Sequence, residues 1–378
     1  MNKPVFFVAA TGQHVGKTTT CLGLVSGLMK RHKKVGFIKP IGQEHVEIDT
    51  GIHVDKDVVL FKDHFDLDEK NEVMSPILFP RGFTRDFIDG KVSEEELSEK
   101  IQNSFHQIQK KSQSIVVEGT GHVGVGSIVN LSNAKVASML GLDMILVASG
   151  GLGSSFDALA VNKALCDVHG VNIAGVILNR VHADKREMVL SYMERALSRF
   201  DIPIIGCIPF DPFLSNPTMQ DFELLFKATL LSGEDHHMRH FHHLHLVATS
   251  LKNYRELILP NQLIITPANR EDIILATLTK HWDVKIANPN DDLSVGIILT
   301  GNVPPRKTIL EALKKANIPM LHAPVSSHKA MEMITSYTVK IRKEDKEKII
   351  EAVELVESHI DFDKLSSALQ KKKTIYQK

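Results

Sequence analysis

The apolar run Val5-Phe6-Phe7-Val8-Ala9-Ala10 leads straight into Thr11-Gly12-Gln13-His14-Val15-Gly16-Lys17-Thr18, and a helix-compatible stretch follows at once. This junction constrains the fold more than any other part of the chain. Gly12-x-x-x-Gly16-Lys17-Thr18 is one residue shorter than the usual G-x-x-x-x-G-K-[ST] spacing, but counted from Thr11 the loop has ordinary length. In a strand–turn–helix of this kind the backbone N–H groups of the turn converge at a helix N-terminus, where they and the helix dipole favour phosphate oxygens. Gly12, Gln13, His14, Val15, Gly16, Lys17, Thr18 and Thr19 are therefore expected to cradle a nucleotide's phosphates. In that arrangement Lys17 reaches the β- and γ-phosphates and the Thr18 hydroxyl ligates Mg²⁺.

The rest of the N-terminal region agrees with such a start. Residues 35–39, 114–118, 144–148, 173–178 and 202–208 are nearly continuous in Val, Ile and Leu, as strands covered on both faces are. Amphipathic stretches near 17–31, 91–111, 132–140, 154–169 and 184–199 separate them. Strand–helix alternation at this spacing predicts an α/β fold, a doubly wound and mostly parallel P-loop NTPase sheet. The pattern breaks at Ser232-Gly233-Glu234-Asp235 and restarts with strands expected at 244–248, 261–266, 293–299 and 318–323. Helices are expected near 269–280, 305–316, 327–335 and 344–358, giving a smaller second α/β domain. The expected boundaries are a P-loop domain over 1–230, a His-rich linker over 231–243, a second domain over 244–360 and a charged, frayed tail over 361–378.

Composition narrows the function classes. Lys and Arg together number 45, as do Asp and Glu, so the chain has no net charge and no signature of a nucleic-acid binder. Cys21, Cys166 and Cys207 lie far apart without a CxxC spacing, which fits small buried hydrophobes in a reducing compartment. No apolar run approaches the roughly 18 residues of a membrane span, so a cytoplasmic location is expected.

Further motifs place polar residues at strand ends, where open α/β sheets bind ligands. In "FIKPIGQ", residues 37–43, Lys39 ends the second strand and Pro40 stops it; its ammonium could clamp a phosphoryl group or an anionic substrate. In "IVVEGTGHVGVGS", residues 115–127, Glu118 caps a β-branched strand where NTPases hold Mg²⁺ or orient a nucleophile. "VDKDVVLF", residues 54–61, adds Asp57 as a second candidate Mg²⁺ carboxylate. In "GVILNRV", residues 175–181, the Asn179 amide can offer a donor and an acceptor to an adenine edge, or simply make a turn. "CIPFDP", residues 207–212, ends the next strand and could border the same pocket. The run His236, His237, His240, His242, His243 and His245 lacks a defined tetrahedral spacing, and a solvated linker is expected over a metal site.

Taken together, Gly16-Lys17-Thr18, Lys39-Pro40, Asp57, Glu118-Gly119 and Asn179 make residues 1 to about 228 similar to the dethiobiotin synthetase-like P-loop family. The stretches "VEGTGHVGVGSIVNLSNAKVASMLG" and "VASGGLGSSFDALAVNKAL" resemble the N-terminal region of long phosphotransacetylases and its stand-alone relatives. "ITPANREDIILATL" and "GIILTGNVPPRKTILEALKKANIPML" resemble the DRTGG domain that follows there. The resemblance implies ATP and Mg²⁺ as cofactors, with Lys17 and Lys39 in catalytic positions and Thr18, Asp57 and Glu118 on the metal. It also implies a homodimer. Two departures stand out: Gly12 occupies the place of the synthetases' loop Asp, and Asn269-Arg270 stands where an acidic–Arg pair is expected. The chain stops where a phosphotransacetylase begins its acyltransferase domain, so acetyl transfer is not expected of it. Cobyrinate- and cobyrate-amidating relatives carry a glutaminase cysteine, and no Cys lies beyond Cys207.

Two functional expectations follow. The first is an ATP-binding regulatory protein or sensor with possible ATPase activity, whose DRTGG-like domain takes an unidentified small molecule or a partner enzyme. The alternative is a dethiobiotin synthetase-type ligase that phosphorylates a carboxylate or carbamate.

Overall fold

The computed structural model describes residues 3–48 and 51–370. By its contacts the chain forms two units: one holds the residues up to Asp211 together with those from Ile341 on, and the other is Pro212–Lys340. In the first unit β1 (Val5–Ala10) feeds the loop and α1 (Lys17–Met29). Then come β2 (Val35–Ile38), α2 (Lys56–Phe65), α3 (Glu94–Lys111) and β3 (Ser114–His122). After them follow α4 (Asn133–Met139), β4 (Asp143–Ser149), α5 (Gly153–Val168), β5 (Ile173–Val181), α6 (Arg186–Ser198) and β6 (Ile204–Pro209). The six strands form one sheet in the order β6-β5-β4-β1-β3-β2, with every neighbouring pair parallel. The expected doubly wound sheet is thus present. Phe6 to Ala10 are buried because β1 lies at the centre, between β3 and β4. The chain reverses its direction across the sheet beside β1, which is where such sheets open a crevice at their carboxyl ends.

The second unit repeats this logic on a smaller scale. It contains β7 (Leu230–Ser232), β8 (His243–Leu246), β9 (Gln262–Pro267), α7 (Glu271–Ala287), β10 (Gly296–Thr300), α8 (Lys307–Ala316), β11 (Met320–Ala323) and α9 (Ser327–Ser336). The sheet order is β7-β11-β10-β9-β8, with β7 antiparallel to β11 and the other pairs parallel. Alternate residues of one strand feed cores on opposite faces: Ile264 packs with Ile273, Leu299 and Leu313, while Ile265 packs with Phe222, Leu321 and Ile334.

The structure redraws the expected boundaries. Residues 212–230 belong to the second unit, and β7 completes its sheet. The histidine run is built into that unit as well. His237 Nδ1 lies 2.6 Å from Glu223 Oε2, His236 bonds Arg239, and His245 bonds Gln262, so the run is not a linker. The expected helix at 344–358 exists as α10 (Lys346–Glu357), but it belongs to the first unit. The expected tail is α11 (Phe362–Gln370), which buries Phe362 and Leu365; residues 371–378 lie outside those described. Helical periodicity announces a buried face without naming what covers it, which is why the sequence assigned α10 to its nearest neighbour.

What α10 and α11 cover is α1, the helix that leaves the phosphate loop. A Cβ on Gly23 would lie 2.4 Å from Val356, and one on Gly27 would lie 2.0 Å from Phe362 Cζ. Ser26 donates to Glu357, and the Arg31 guanidinium sits 4.2 Å from the centre of the Phe362 ring. Between α10 and α11 the backbone bonds the β6 edge, through Cys207 N–H to His359 and Asp361 N–H to Ile205, and so closes an edge that would otherwise stay open. Gly27→Ala tests this packing by its sign. Helix propensity alone would stabilise the change by about 1 kcal/mol. Overpacking against Phe362 is expected to reverse that, at a net loss of about 1–3 kcal/mol in denaturant unfolding. Phe362→Ala in the same chain should then remove the clash, so that the two changes together cost less than their sum.

Candidate functional site

Two carbonyl groups of the loop between β1 and α1, those of Thr11 and Val15, are held by asparagine side chains. Gly16 has φ +91°, a left-handed conformation, and a Cβ there would lie 2.2 Å from Asn179 Nδ2. Only glycine satisfies both conditions. Asn179 Nδ2 donates to the Val15 carbonyl at 2.8 Å, and Asn179 Oδ1 accepts from Arg180 N–H at 2.9 Å. The residue singled out for an adenine edge thus braces the phosphate loop, with one N–H and one lone pair remaining. At the other end of the loop Asn162 Nδ2 donates to the Thr11 carbonyl at 3.1 Å. Asn162 Oδ1 accepts from Val123 N–H at 3.0 Å, so one side chain ties the phosphate loop to the loop after β3. Losing the Asn179 bond should loosen the loop without removing any charge. Asn179→Ala is accordingly expected to weaken nucleotide binding roughly fivefold to tenfold, about 1 kcal/mol, in a fluorescence titration.

At the carboxyl ends of β1, β2 and β3 the charged side chains form one continuous series. Lys17 Nζ lies 3.3 Å from Glu118 Oε1. The Thr18 hydroxyl donates to the same oxygen at 2.9 Å and lies 3.3 Å from Asp57 Oδ2. Asp57 Oδ2 also accepts from Lys39 Nζ, which bonds Asp55 Oδ1 at 2.9 Å as well. Asp55 caps the N-terminus of α2 by accepting from Asp57 N–H at 2.9 Å, and this cap turns Asp57 toward the loop. Burial opposes the charge on Lys39, yet Asp57, Asp55 and Glu118 outweigh it and hold the ammonium above the ordinary lysine range. Burial also works against the Asp57 carboxylate, and Lys39 beside it prevails, keeping that group below its ordinary range. At Asp55 burial prevails and pushes the carboxyl up, although Lys39 counters it. Cys21, one turn into α1, is buried against Glu118; burial first and that carboxylate second push its thiol well up, so it is no nucleophile.

Lys17, Thr18, Lys39, Asp57 and Glu118 therefore meet, as the sequence expected, and Asn179 joins them through the loop. Asp55, Asn133 and Asn162 were not foreseen. Asn133 holds the turn after Glu118, donating to the Thr120 and His122 carbonyls at 2.8 and 2.7 Å. A polar residue at a buried position of an amphipathic helix was the available sign for Asn133 and Asn162. Asp55 stands two residues before Asp57, as an N-cap does before a first-turn acid. Three carboxylates against two ammonium groups leave the cluster anionic, and Glu118 Oε2 and Asp55 Oδ2 are buried with no hydrogen-bond partner among the described residues. Hard oxygen donors with unspent capacity fit a Mg²⁺ ion, which takes one or two carboxylates and completes its shell with water and phosphate oxygens. Among the described residues no group of three or more His, Cys, Asp or Glu side chains is arranged to hold a metal unaided. The histidine run thus forms no such group. Arg270 forks onto its near neighbour Asp272 at 2.8 and 2.9 Å.

A parallel sheet with a glycine-turned loop at its central strand, a lysine and a threonine at the helix start, and acids on the adjoining strand ends define a P-loop NTPase-type domain. The chain belongs to the family described as AAA domain, whose model matches residues 5–218; residues 225–337 match the DRTGG domain. Among similar proteins, a phosphate acetyltransferase of Pseudomonas aeruginosa is 28% identical over 379 residues, covering 95% of this chain and 51% of the relative. A phosphate acetyltransferase of Nitratidesulfovibrio vulgaris is 25% identical over 377 residues, covering 97% and 52%. The chain spans about half the length of the curated relatives it matches. The Aquifex aeolicus cell division protein MinD matches 56% of this chain and 84% of its own, with a TM-score of 0.35 at 17% identity. Among the described residues no helix is long and apolar enough to cross a membrane.

Proposed function

We propose that this chain binds Mg–ATP at the phosphate loop and acts as an ATP-dependent regulatory protein, with the DRTGG domain receiving a small molecule or a partner enzyme. The observation that supports it most is the joining of Lys17, Thr18, Lys39, Asp57 and Glu118 beside Gly16 into one cluster, which the Asp55 carboxylate makes net anionic. In this reading Thr18, Asp57 and Glu118 hold Mg²⁺, which would supply charge neutralisation on the β- and γ-phosphates. The loop N–H groups and Lys17 bind the phosphates, and Asn162 and Asn179 keep the loop in the shape that aims those groups. Three free, buried cysteines fit work in a reducing cytoplasm, and the reading expects a homodimer, to be checked by sedimentation.

A second reading is phosphoryl transfer to a carboxylate or carbamate. Lys39 favours it: a fully charged lysine at the end of β2 is where a transferring phosphoryl group needs neutralisation. One experiment separates the two. ATP turnover with Mg²⁺ is measured with and without diaminopelargonate plus bicarbonate, while ATP binding is followed in parallel. Tight binding with slow, substrate-indifferent turnover supports the regulatory reading. Turnover that rises with the added substrates supports the ligase, and absence of ATP binding contradicts both.

A further inference from the structure

The Asp55 carboxylate is fully buried, as Glu118 is, and Mg²⁺ chemistry does not call for it directly. Its position is fixed from several sides. Asp55 N–H donates to Ser75 Oγ at 3.0 Å, its Oδ1 accepts from both Lys39 Nζ and Asp57 N–H, and a Cβ on Gly42 would lie 2.6 Å from its Oδ2. Lys39 meanwhile rests on Asp57 Oδ2, the oxygen that also faces the Thr18 hydroxyl. A cation held by Thr18 and Asp57 needs that carboxylate oxygen for itself, so Lys39 must give it up. An ammonium this deeply buried cannot be left without a counter-charge, since an unpaired buried charge is strongly destabilising.

Building on the Mg–ATP reading, we propose that Asp55 is a positioning residue that holds Lys39 when Mg²⁺ takes Asp57, so that the metal does not compete with the lysine for one carboxylate. Lys39 already bonds Asp55 at 2.9 Å, so the exchange requires no long movement of the side chain. Without the charge on Asp55, Asp57 is the neighbouring carboxylate left to Lys39, and each Mg²⁺ that binds must strip the lysine bare.

The test is the Mg²⁺ dependence of ATP binding, read as fluorescence of a labelled ATP analogue on the full chain. Asp55→Asn is expected to raise the half-saturating Mg²⁺ concentration about tenfold, as loss of a supporting partner does at metal sites, with the difference closing as Mg²⁺ saturates. Adding Lys39→Met to that variant removes the competitor and should return the midpoint to within about threefold of wild type, because only the lysine made the lost support costly. A role confined to capping α2 would leave the midpoint unchanged in the single variant, or unrestored in the double, and either result overturns the proposal. Where Asp55→Asn does not fold by circular dichroism, the double variant carries the test. Its midpoint should again lie within about threefold of wild type, and a tenfold increase with no lysine present would overturn the proposal. Wild-type binding that ignores Mg²⁺ would instead overturn the Mg–ATP reading and this inference with it.

Discussion

Cutting the chain after Lys340 should leave the P-loop unit unable to hold its native fold. The removed residues include Ile349, Ala352, Val356, Ile360, Phe362 and Leu365, all buried. Burying a large apolar side chain contributes about 1.5–3 kcal/mol, so this set amounts to on the order of 10 kcal/mol. That is comparable with the whole stability of an ordinary domain, about 5–15 kcal/mol. The loss also uncovers the small-residue face of α1 at Gly23 and Gly27, which Val356 and Phe362 cover. Joining residues 1–211 to 341–370 through a short Gly/Ser linker should restore a cooperative thermal transition, and residues 212–340 should fold by themselves. A truncated chain that melts like the full one would contradict the assignment of α10 and α11 to the P-loop unit.

Lys17→Ala should abolish nucleotide binding while leaving the fold intact. Lys17 is the cation nearest Glu118, and in the proposed complex it faces the phosphates. Removing one partner of a close, desolvated charge pair costs about 2–5 kcal/mol, so ATP affinity should fall by roughly 100-fold or more. The side chain lies at the first turn of α1, where alanine is a good helix former, so far-UV circular dichroism should not change. A variant that binds ATP within a factor of a few of wild type would exclude the loop as the phosphate site.

What could be read from the sequence, and what could not, divides along physical lines. The β1–loop–α1 junction was legible because its chemistry is local: Gly16 serves a backbone angle, and Lys17 and Thr18 follow it in register. Lys39 and Glu118 were legible because each ends an apolar run and so falls at the sheet's carboxyl edge. Asp55 was hidden by its own role, since an N-cap beside a first-turn acid looks like ordinary helix punctuation. The return of the chain to the first unit was illegible for another reason. Val356 and Phe362 show the periodicity of a buried face, but their complement is the absence of side chains at Gly23 and Gly27, more than 300 residues earlier. The histidines at 236–245 misled in the opposite direction. Polar and clustered, they resemble a solvated linker, yet Glu223, Arg239 and Gln262 take them up as partners within a packed unit.

The most direct test of the central claim is an equilibrium titration of the wild-type chain with ATP, once in excess Mg²⁺ and once in EDTA. The cluster of Thr18, Asp57 and Glu118 beside Lys17 predicts saturable binding of one ATP per chain that weakens sharply when Mg²⁺ is withdrawn. No saturable binding in either condition would mean that the loop only turns the chain, and would contradict the account at its root.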